Sequence, residues 1–365
     1  MAGRHQRTLW PAAGEDPGQA VEVIDQRLLP HQWRVARLAS IADVHRAIAE
    51  MWVRGAPLIG VTAAYGLALQ CRHDGQDAAL REAKAYLDGA RPTAVNLMWA
   101  TQRMLDALLR LPLAERASAA WALAAALADE DVATNHAIGR HGLELLRALA
   151  ARHAHRPLNI LTHCNAGWLA TVDWGTALAP IYQAHEAGLA VHVWVDETRP
   201  RNQGASLTAW ELGQQGVPHT VIADNAGGHL MQHGLVDAVI VGTDRVSRRG
   251  DVCNKIGTYL KALAAHDNGL PFYVAMPFST LDATLDDGVA EIPIEARSPR
   301  EVTHITGRDA EGRLVEVQLT PDGSTALNHG FDVTPARLVS GLITERGVLA
   351  ANATAIAEAL AVSAR

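Results

Sequence analysis

The pattern of apolar and polar positions before residue 150 is mainly helical. Ser40 and Asp43 form a capping-box sequence at the start of the first predicted helix. Apolar side chains then recur every three or four residues, at Ile41, Val44, Ile48 and Met51. Runs of good helix formers predict further helices at Leu58–Cys71, Gln76–Leu87, Asn96–Arg110, Leu113–Ala128 and Glu130–Leu149. The apolar run Val21–Leu29 predicts a strand of a small sheet near Trp33.

The pattern changes near Arg156, beyond which short apolar runs alternate with helical segments. The predicted strands are Leu158–Thr162, Ala190–Val195, His219–Ile222, Ala238–Val241 and Phe272–Ala275. Strands separated by helices favour a parallel sheet covered by helices. We therefore expect an α/β protein in which a mainly helical N-terminal domain with a small sheet precedes a Rossmann-like parallel-sheet domain. The boundary is expected in the helical stretch 125–155, which gives domains of residues 1–140 and 141–365.

Length and composition agree with two globular domains. The 365 residues are 48% hydrophobic and 19% charged, which excludes a disordered or fibrous protein. The net charge of −7 argues against a broad nucleic-acid-binding surface, so a phosphorylated ligand needs a local basic site. The cysteines Cys71, Cys164 and Cys253 are far apart, which excludes a disulfide scaffold and a CxxC zinc site. Their spacing fits a reducing compartment.

Neither a membrane span nor a signal peptide is predicted. The longest apolar stretch, Leu58–Cys71, contains Gln70 and is shorter than the ~20 residues that a bilayer requires. The first 18 residues carry positive charge but no apolar segment of the kind that a secretory signal contains. We expect a soluble, cytoplasmic protein without a membrane partner.

Polar and reactive residues follow the predicted strands. In chain order these residues are Cys164 and Asn165, then Glu197, Arg199 and Gln203, then Asp224, then Asp244 with Asn254 and Lys255, and finally Ser279 and Thr280. In an open parallel sheet, ligands bind at the carboxyl ends of the strands. These residues are therefore expected to form one polar site.

Two of these residues are candidates for acid–base chemistry, and each also has a purely structural interpretation. Cys164 is either a reactive thiol or a small buried apolar side chain. Asp244 is either a functional carboxyl or a cap for the turn that follows its strand.

Structural roles are preferred for several neighbouring residues. Glu197 and Arg199 are expected to pair with each other rather than with a substrate, and Cys253 is expected to pack. His153 and His155 form an HxH pattern, but carboxylates or cysteines that could complete a metal site are absent nearby in the sequence. We predict no metal site.

The sequence Arg54-Gly55-Ala56-Pro57 predicts an anion site, because it places an arginine and free backbone N–H groups at the start of a helix. Arg91 and Lys255 are expected to add charge. The sequence lacks both GxGxxG and GxxxxGK[ST], so a dinucleotide or P-loop nucleotide is poorly supported. The residues alone thus indicate an enzyme for a small phosphorylated substrate and do not define its reaction.

Eight segments resemble those of the methylthioribose-1-phosphate isomerase family. They are Arg54-Gly55-Ala56-Pro57, Arg91-Pro92-Thr93-Ala94-Val95-Asn96-Leu97, Thr162-His163-Cys164-Asn165-Ala166-Gly167, Glu197-Thr198-Arg199-Pro200, Gln203-Gly204, Gly242-Thr243-Asp244-Arg245, Gly250-Asp251-Val252-Cys253-Asn254-Lys255-Ile256-Gly257-Thr258 and Phe331-Asp332-Val333-Thr334-Pro335. The resemblance spans about residues 20–350 in the family's order.

The resemblance implies a homodimeric aldose–ketose isomerase of methionine salvage that requires no metal and no nicotinamide cofactor. Its substrate is 5-methylthioribose 1-phosphate and its product is 5-methylthioribulose 1-phosphate. By the same resemblance, Asp244 is the proton donor and Cys164 the second catalytic group. The implied substrate-binding residues are Arg54, Gly55, Ala56, Arg91, Gln203, Asn254 and Lys255. Hydrogen passes from C2 to C1 either through an enolate, with Cys164 as base, or as a hydride.

Related proteins of other function keep alternatives open. The same superfamily includes regulatory subunits of the translation-initiation-factor exchange complex and ribose-1,5-bisphosphate isomerase, and 5-deoxyribose 1-phosphate is a further possible substrate. Retention of Cys164 and Asp244 favours an enzyme. The sequence departs from the family pattern at Cys253, where a smaller residue such as Ala is expected. It also departs at Asn328-His329-Gly330, where Asn-Pro-Ala is expected. We interpret both departures as packing variations.

Overall fold

A small antiparallel sheet begins the chain. The computed structural model describes residues 5–13, 18–91, 94–152 and 155–363. The strands of this sheet are β1 (Leu9–Pro11), β2 (Val21–Ile24) and β3 (Val35–Leu38). The strand predicted at Val21–Leu29 is confirmed only as far as Ile24. It ends there because the Asp25 side chain accepts a hydrogen bond from the Arg27 backbone N–H and caps a 3-10 turn.

Five helices follow the small sheet, namely α1 (Ile41–Ala49), α2 (Ala56–His73), α3 (Asp77–Asp88), α4 (Val95–Leu108) and α5 (Leu113–Ala150). The predicted capping box at the start of α1 is confirmed. Ser40 Oγ accepts from the Asp43 backbone N–H, and the Asp43 carboxylate accepts from the Ser40 N–H, both at 3.1 Å. Helix α2 is buried along most of its length and packs against α4 and α5. It is the centre of the N-terminal domain.

Helix α5 is one continuous helix of 38 residues, so the prediction of two helices with a break at residue 129 is wrong. Asp129 and Glu130 are exposed in the middle of the helix, and neither is a Gly or Pro that would end it. The N-terminal half of α5 packs into a core with α2, where Ala128 is its last fully buried contributor. From Ile138 onward it packs into the core of the larger sheet. The two cores therefore meet between residues 128 and 138.

The rest of the chain alternates strands and helices. The strands are β4 (Leu158–Thr162), β5 (Val191–Asp196), β6 (His219–Ile222), β7 (Ala238–Val241), β8 (Arg245–Ser247), β9 (Val252–Lys255), β10 (Phe272–Ala275), β11 (Leu281–Asp282), β12 (His304–Arg308), β13 (Leu314–Gln318), β14 (Phe331–Thr334), β15 (Gly341–Thr344) and β16 (Gly347–Leu349). The helices are α6 (Ala179–Glu186), α7 (Ala209–Gln214), α8 (Ala226–Gln232), α9 (Thr258–Asp267), α10 (Gly288–Glu291), α11 (Arg300–Thr303) and α12 (Ala353–Ser363).

The main sheet has seven strands in the order β16-β15-β10-β7-β4-β5-β6, and only β16 is antiparallel to its neighbour. All five predicted strands are confirmed, with β5 displaced by one residue. Helices α5 and α6 pack on one face, and α8 and α9 pack on the other. The predicted α/β fold is therefore confirmed.

The chain order of the main sheet opens a crevice between β4 and β7. From β4 the chain builds outward to β5 and β6, then returns to place β7 on the other side of β4. Connections that leave two neighbouring strands in opposite directions create a binding crevice at the carboxyl ends of those strands. A second sheet, in the order β11-β8-β9-β14, follows directly from the carboxyl end of β7. It brings further residues to the crevice.

A helix that crosses a lipid bilayer must span a hydrocarbon core about 30 Å thick, the thickness of a typical bilayer. Within the ranges given above, every helix is too short or too polar to cross one.

Candidate active site

Cys164 lies two residues beyond β4, at a sharp bend. Its φ of 68° is in the left-handed region, which side-chain-bearing residues rarely adopt. The bend is held by the Cys164 backbone N–H, which donates to Thr198 Oγ1 at 2.8 Å. The buried thiol donates to Gln203 Oε1 at 3.4 Å. The loop after β5 thus fixes both the backbone and the sulfur of Cys164.

Asp244 lies three residues beyond β7, on the other side of the crevice. Its backbone N–H donates to the Cys253 carbonyl at 2.9 Å, which joins it to β9. Asp244 and Cys164 line the same cavity. Burial raises the pKa of Asp244, against the opposing charges of Lys255 and Arg91. The carboxyl is therefore protonated at higher pH than an exposed aspartic acid, which suits a proton donor.

An anion cradle adjoins the cavity at the start of α2. Gly55 has a φ of 93°, and a Cβ at this position would overlap the carbonyl of Ala170, so both the conformation and the close packing require glycine. Ala56 and Pro57 begin the 18-residue helix α2 and direct its N-terminal dipole toward the cavity that they line. Arg54, buried beside them, donates from Nη2 to the Asn165 carbonyl at 2.6 Å and from Nη1 to Asn165 Oδ1.

Strand β9 contributes Asn254 and Lys255, both of which are buried. Lys255 Nζ donates to the Gly330 carbonyl at 2.9 Å and lies 4.3 Å from the centre of the Phe331 ring. Burial lowers the pKa of Lys255, while the nearby Cys164 and Asp244 act in the opposite direction. Asn254 also lines the cavity, and its Nδ2 donates to Thr258 Oγ1 at 3.0 Å.

Arg91 completes the basic side of the site. Its Nη2 lies 3.4 Å from Glu295 Oε2, and its buried Nε has no hydrogen-bond partner within the described ranges. Burial lowers the pKa of Arg91, against the charges of Glu295 and Asp244. Pro92 and Thr93, which follow it in the motif, lie outside the described residues. The unpartnered Nε leaves Arg91 a donor for a ligand.

The structure brings together all nine residues that the family resemblance assigns to the site. Six of them line one cavity: Arg54, Gly55, Ala56, Cys164, Asp244 and Asn254. Gln203 joins through the Cys164 thiol, and Lys255 and Arg91 join through their electrostatic interaction with Asp244. Their roles in binding and catalysis stay predictions.

The predictions for the surrounding residues have different outcomes. Cys253 packs against Ile292 and Phe331, as predicted. The prediction that Arg199 pairs with Glu197 is wrong, because its guanidinium donates to backbone carbonyls, including that of Val302 at 2.8 Å. A short sequence separation does not reveal that this loop packs against the segment near residue 302. Of the HxH pattern, His153 lies outside the described residues.

One cluster beside the site has the composition of a metal site. Ligand atoms of His163, Asp196 and Asp224 lie within 4.8 Å of one another. The Lys261 ammonium already lies 3.2 Å from Asp196 Oδ2, and His163 Nδ1 lies 2.8 Å from the same oxygen. A metal ion would have to displace this lysine. We therefore interpret the cluster as structural support for the loops after β4 and β5.

The sequence did not predict the contacts that hold the Arg54 side chain in place. Asn165 was recognised only as part of a motif, yet it binds the Arg54 guanidinium through two acceptors. Glu211 gave no signal at all, because a single glutamate in a helical segment is usually exposed. In the structure it is fully buried beneath Asn165.

Comparison with known proteins identifies the family. A sequence model of the initiation factor 2 subunit family matches residues 52–351. Methylthioribose-1-phosphate isomerase of Methylocella silvestris is 62% identical over 98% of each chain, and that of Rhodospirillum centenum is 62% identical over 97% of this chain and 94% of its own. The chain belongs to the methylthioribose-1-phosphate isomerase branch of the initiation factor 2 subunit family.

The solved structures that resemble this chain include both a methylthioribose-1-phosphate isomerase and a translation-factor subunit. The 5-methylthioribose 1-phosphate isomerase of Pyrococcus horikoshii OT3 matches with a TM-score of 0.83 and 39% identity, over 98% of this chain and 97% of its own. The delta subunit of translation initiation factor eIF-2B from A. fulgidus matches with a TM-score of 0.78 and 37% identity, over 97% and 100%. The fold is thus shared by both functional classes, whereas the 62% identity is to isomerases.

Proposed function

We propose that this protein converts 5-methylthioribose 1-phosphate into 5-methylthioribulose 1-phosphate in methionine salvage. The observation that carries the proposal is the shared cavity of Asp244 and Cys164, which adjoins a buried cradle for an anion. An acid, a thiol and a phosphate site are the groups that the isomerisation of a sugar 1-phosphate requires. The relatives that are 62% identical bear the name of this activity.

The position of the phosphate determines the chemistry. Because the anomeric oxygen carries the phosphate, the sugar cannot open to a free aldehyde, and ring opening requires protonation of the ring oxygen. Asp244 supplies this proton, and its raised pKa keeps the acid form available. Hydrogen then moves from C2 to C1, and the C2 hydroxyl loses its proton as it becomes the ketone.

We assign Cys164 to the hydrogen transfer. In one route its thiolate removes the C2 proton and an enolate forms; in the other, a hydride shifts and the thiol positions the substrate. Lys255, close enough to interact electrostatically with Cys164, supports the first route. The hydrogen bond from the thiol to Gln203 Oε1 suits the second. With deuterium at C2, loss of the label to solvent identifies the base route, since only a base exchanges it, whereas retention at C1 is expected both for a hydride shift and for a base shielded from solvent.

A mainly apolar pocket beside Asp244 suits the methylthio group. Its apolar lining comprises Ala56, Ile59, Ala94, Cys253, Ile292, Pro293 and Phe331. Arg91, Arg245 and Asp244 also line this pocket, so its lining alone does not exclude the second phosphate of ribose 1,5-bisphosphate, and the choice against that substrate rests on the activity that the relatives are named for. A 5-deoxy sugar fits the same surface and leaves part of it unfilled, which typically changes binding by about 1–3 kcal/mol. We therefore propose a preference for the methylthio sugar over 5-deoxyribose 1-phosphate.

The direct test is to incubate the purified protein with 5-methylthioribose 1-phosphate and follow the appearance of the ketose by NMR. The Cys164→Ser variant is expected to keep less than about a tenth of the wild-type kcat, since a hydroxyl is a much weaker acid than a thiol. Cys71→Ser is the matched control, because Cys71 is buried in the N-terminal core. A regulatory protein of the translation-factor type would convert no substrate, and that result would refute the proposal.

We further propose a cytoplasmic homodimer with domains of residues 1–140 and 141–365. The change of hydrophobic core along α5 supports the division, and the three free cysteines support a reducing compartment. The homodimer itself is what the family resemblance implies. Sedimentation tests it, and a wild-type monomer at micromolar concentration would contradict it.

A further inference from the structure

Glu211 on α7 is a fully buried carboxylate that is surrounded by hydrogen-bond donors. Oε2 accepts from the Trp168 backbone N–H at 2.7 Å and from the Tyr182 hydroxyl at 2.8 Å. Oε1 accepts from the Leu169 backbone N–H at 3.1 Å and from Asn165 Nδ2 at 2.8 Å. A buried carboxylate with four donors is fully satisfied without a directly bound cation.

The backbone at Gly167 lies in close contact with this carboxylate. A Cβ at Gly167 would overlap Glu211 Oε2, so the glycine of the Asn165-Ala166-Gly167 segment permits the backbone to approach it. The approach brings the N–H groups of the 3-10 turn Trp168–Ala170 onto the carboxylate. The segment after β4 is thus folded around Glu211.

The orientation of the Asn165 amide follows from Glu211. Because Nδ2 donates to Glu211 Oε1, and also to Thr208 Oγ1 at 3.2 Å, the amide oxygen must point away from them. There Oδ1 accepts from Arg54 Nη1. If the amide turned over, it would present N–H groups to a guanidinium that can only donate.

We propose that Glu211 is a positioning residue that, through Asn165, aims Arg54 at the phosphate of the substrate. The inference rests on the proposed function, because it takes the ligand of Arg54 to be a sugar phosphate. Glu211 does not line the cavity with Cys164 and Asp244. Its effect is therefore expected in substrate binding rather than in the chemical step.

Glu211→Gln is a sharp test, because each carboxylate oxygen accepts from a backbone N–H. Either orientation of the glutamine amide places its NH₂ against one of these donors. Turning Asn165 or Tyr182 does not remove this conflict, because the opposing donors are the Trp168 and Leu169 backbone N–H groups. The substituted side chain must therefore shift, which breaks its hydrogen bond with Asn165 and releases Arg54. We expect KM for the sugar phosphate to rise roughly tenfold while kcat changes less than about threefold.

Asp237→Asn is the matched control for general destabilisation. Asp237 is another buried carboxylate that accepts from a backbone N–H, that of Asn159 at 2.8 Å. It lies just before β7, at the amino end of the sheet and away from the cavity. Loss of this carboxylate is expected to lower the unfolding temperature and to leave KM within about twofold of the wild-type value.

A double-mutant cycle with Arg54→Ala distinguishes positioning from a local packing defect. If Glu211 acts through Arg54, adding Glu211→Gln to Arg54→Ala raises KM by less than about twofold. An unchanged KM in folded Glu211→Gln, or an undiminished effect in the Arg54→Ala background, would overturn the proposal. If Glu211→Gln does not fold, Asn165→Ala breaks the same connection at its next member, and the same rise in KM is expected.

Binding of inorganic phosphate separates this proposal from the proposed function. If the wild type converts no 5-methylthioribose 1-phosphate, the proposed function fails. Titration calorimetry with phosphate alone then still tests Glu211. Weaker phosphate binding in Glu211→Gln than in Asp237→Asn supports the positioning role, and equal binding in the two variants refutes it.

Discussion

In the proposed mechanism, ring opening depends on Asp244. Asp244→Asn keeps the shape of the side chain and removes its transferable proton. We expect kcat to fall at least ~10²-fold, because the ring oxygen is no longer protonated. KM is expected to change little, because the anion cradle stays intact. Steady-state kinetics with 5-methylthioribose 1-phosphate measure both constants. Near-normal turnover in a folded variant would remove Asp244 from the mechanism.

Arg54 and Lys255 are expected to act in binding. Each is buried and holds a backbone carbonyl beside the cavity, that of Asn165 or that of Gly330. Loss of one charge-assisted hydrogen bond costs about 1.5–3 kcal/mol, so Arg54→Ala or Lys255→Ala is expected to raise KM roughly tenfold to a hundredfold. In both variants, kcat is expected to change much less than KM.

A buried arginine elsewhere provides the control for these two variants. Arg116 donates to the Gly75 carbonyl at 2.8 Å and pairs with Asp77, within the helical domain. Arg116→Ala is expected to lower stability without a change in KM. A ligand-bound crystal structure with the phosphate far from both Arg54 and Lys255 would contradict the binding scheme.

The residues that we propose to act on the substrate were predictable from the sequence, and those that we propose to orient them were not. Cys164 and Asp244 follow apolar strands, and the resemblance assigned their roles. The link from Glu211 to Arg54 crosses 157 positions of sequence and passes through Asn165. Spacing along the chain contains no information about such a path, because only the packing of α7 beneath the loop after β4 creates it.

At the scale of elements, the start of α2 combines backbone conformation with ligand binding. Gly55→Ala introduces a Cβ at a φ of 93° and against the Ala170 carbonyl. With a ψ of 134°, Gly55 lies outside the left-handed α region, in a conformation that costs a residue with a side chain about 1–3 kcal/mol, and overpacking costs about 1–3 kcal/mol more. We expect a clear drop in the unfolding temperature and a raised KM, since the anion cradle must move.

The variant Gly216→Ala separates the cost of the backbone conformation from the cost of the close packing around an added Cβ. Gly216 also has a positive φ, 70°, but nothing lies within 4 Å of an added Cβ. This variant is expected to lose only the conformational part of the stability and to bind substrate normally. If calorimetry showed equal destabilisation in both variants, and kinetics showed equal KM, the close packing of Gly55 would be unimportant for the cradle.

The elements that the sequence predicted well are those whose pattern is local. The five predicted strands of the main sheet are short apolar runs between turns, and the α1 capping box is defined within four residues. Strands β8, β9 and β11–β16 were missed, and three of them, β8, β11 and β16, are only two or three residues long and too short to show a periodicity. The false break in α5 lies at three adjacent acidic residues, of which Asp129 and Glu130 are exposed, while Asp131 is partly buried and accepts a hydrogen bond from the Val172 backbone N–H.

At the scale of the whole molecule, the pH dependence of stability offers the last prediction. Burial raises the pKa of Glu211 from 4.5 to about 7, even though its hydrogen bonds act against this, so the ionised form that accepts from all four donors predominates above pH 7. A folded-state pKa above the unfolded value means that the native protein binds the proton more tightly. The stabilisation is complete below pH 4.5 and is lost as pH rises toward 7.

We therefore expect the free energy of unfolding of the wild type to fall, relative to that of Glu211→Gln, as pH rises from about 4.5 to 7. The fall is about 3 kcal/mol, since one pKa unit corresponds to about 1.4 kcal/mol. Urea unfolding of both proteins across this range measures the difference. Other shifted carboxyls, such as Asp131, occur in both proteins and cancel. A difference that stayed constant, or that grew in favour of the wild type with rising pH, would mean that the pKa of Glu211 is not raised. In that case its hydrogen bonds, rather than its burial, would determine its charge.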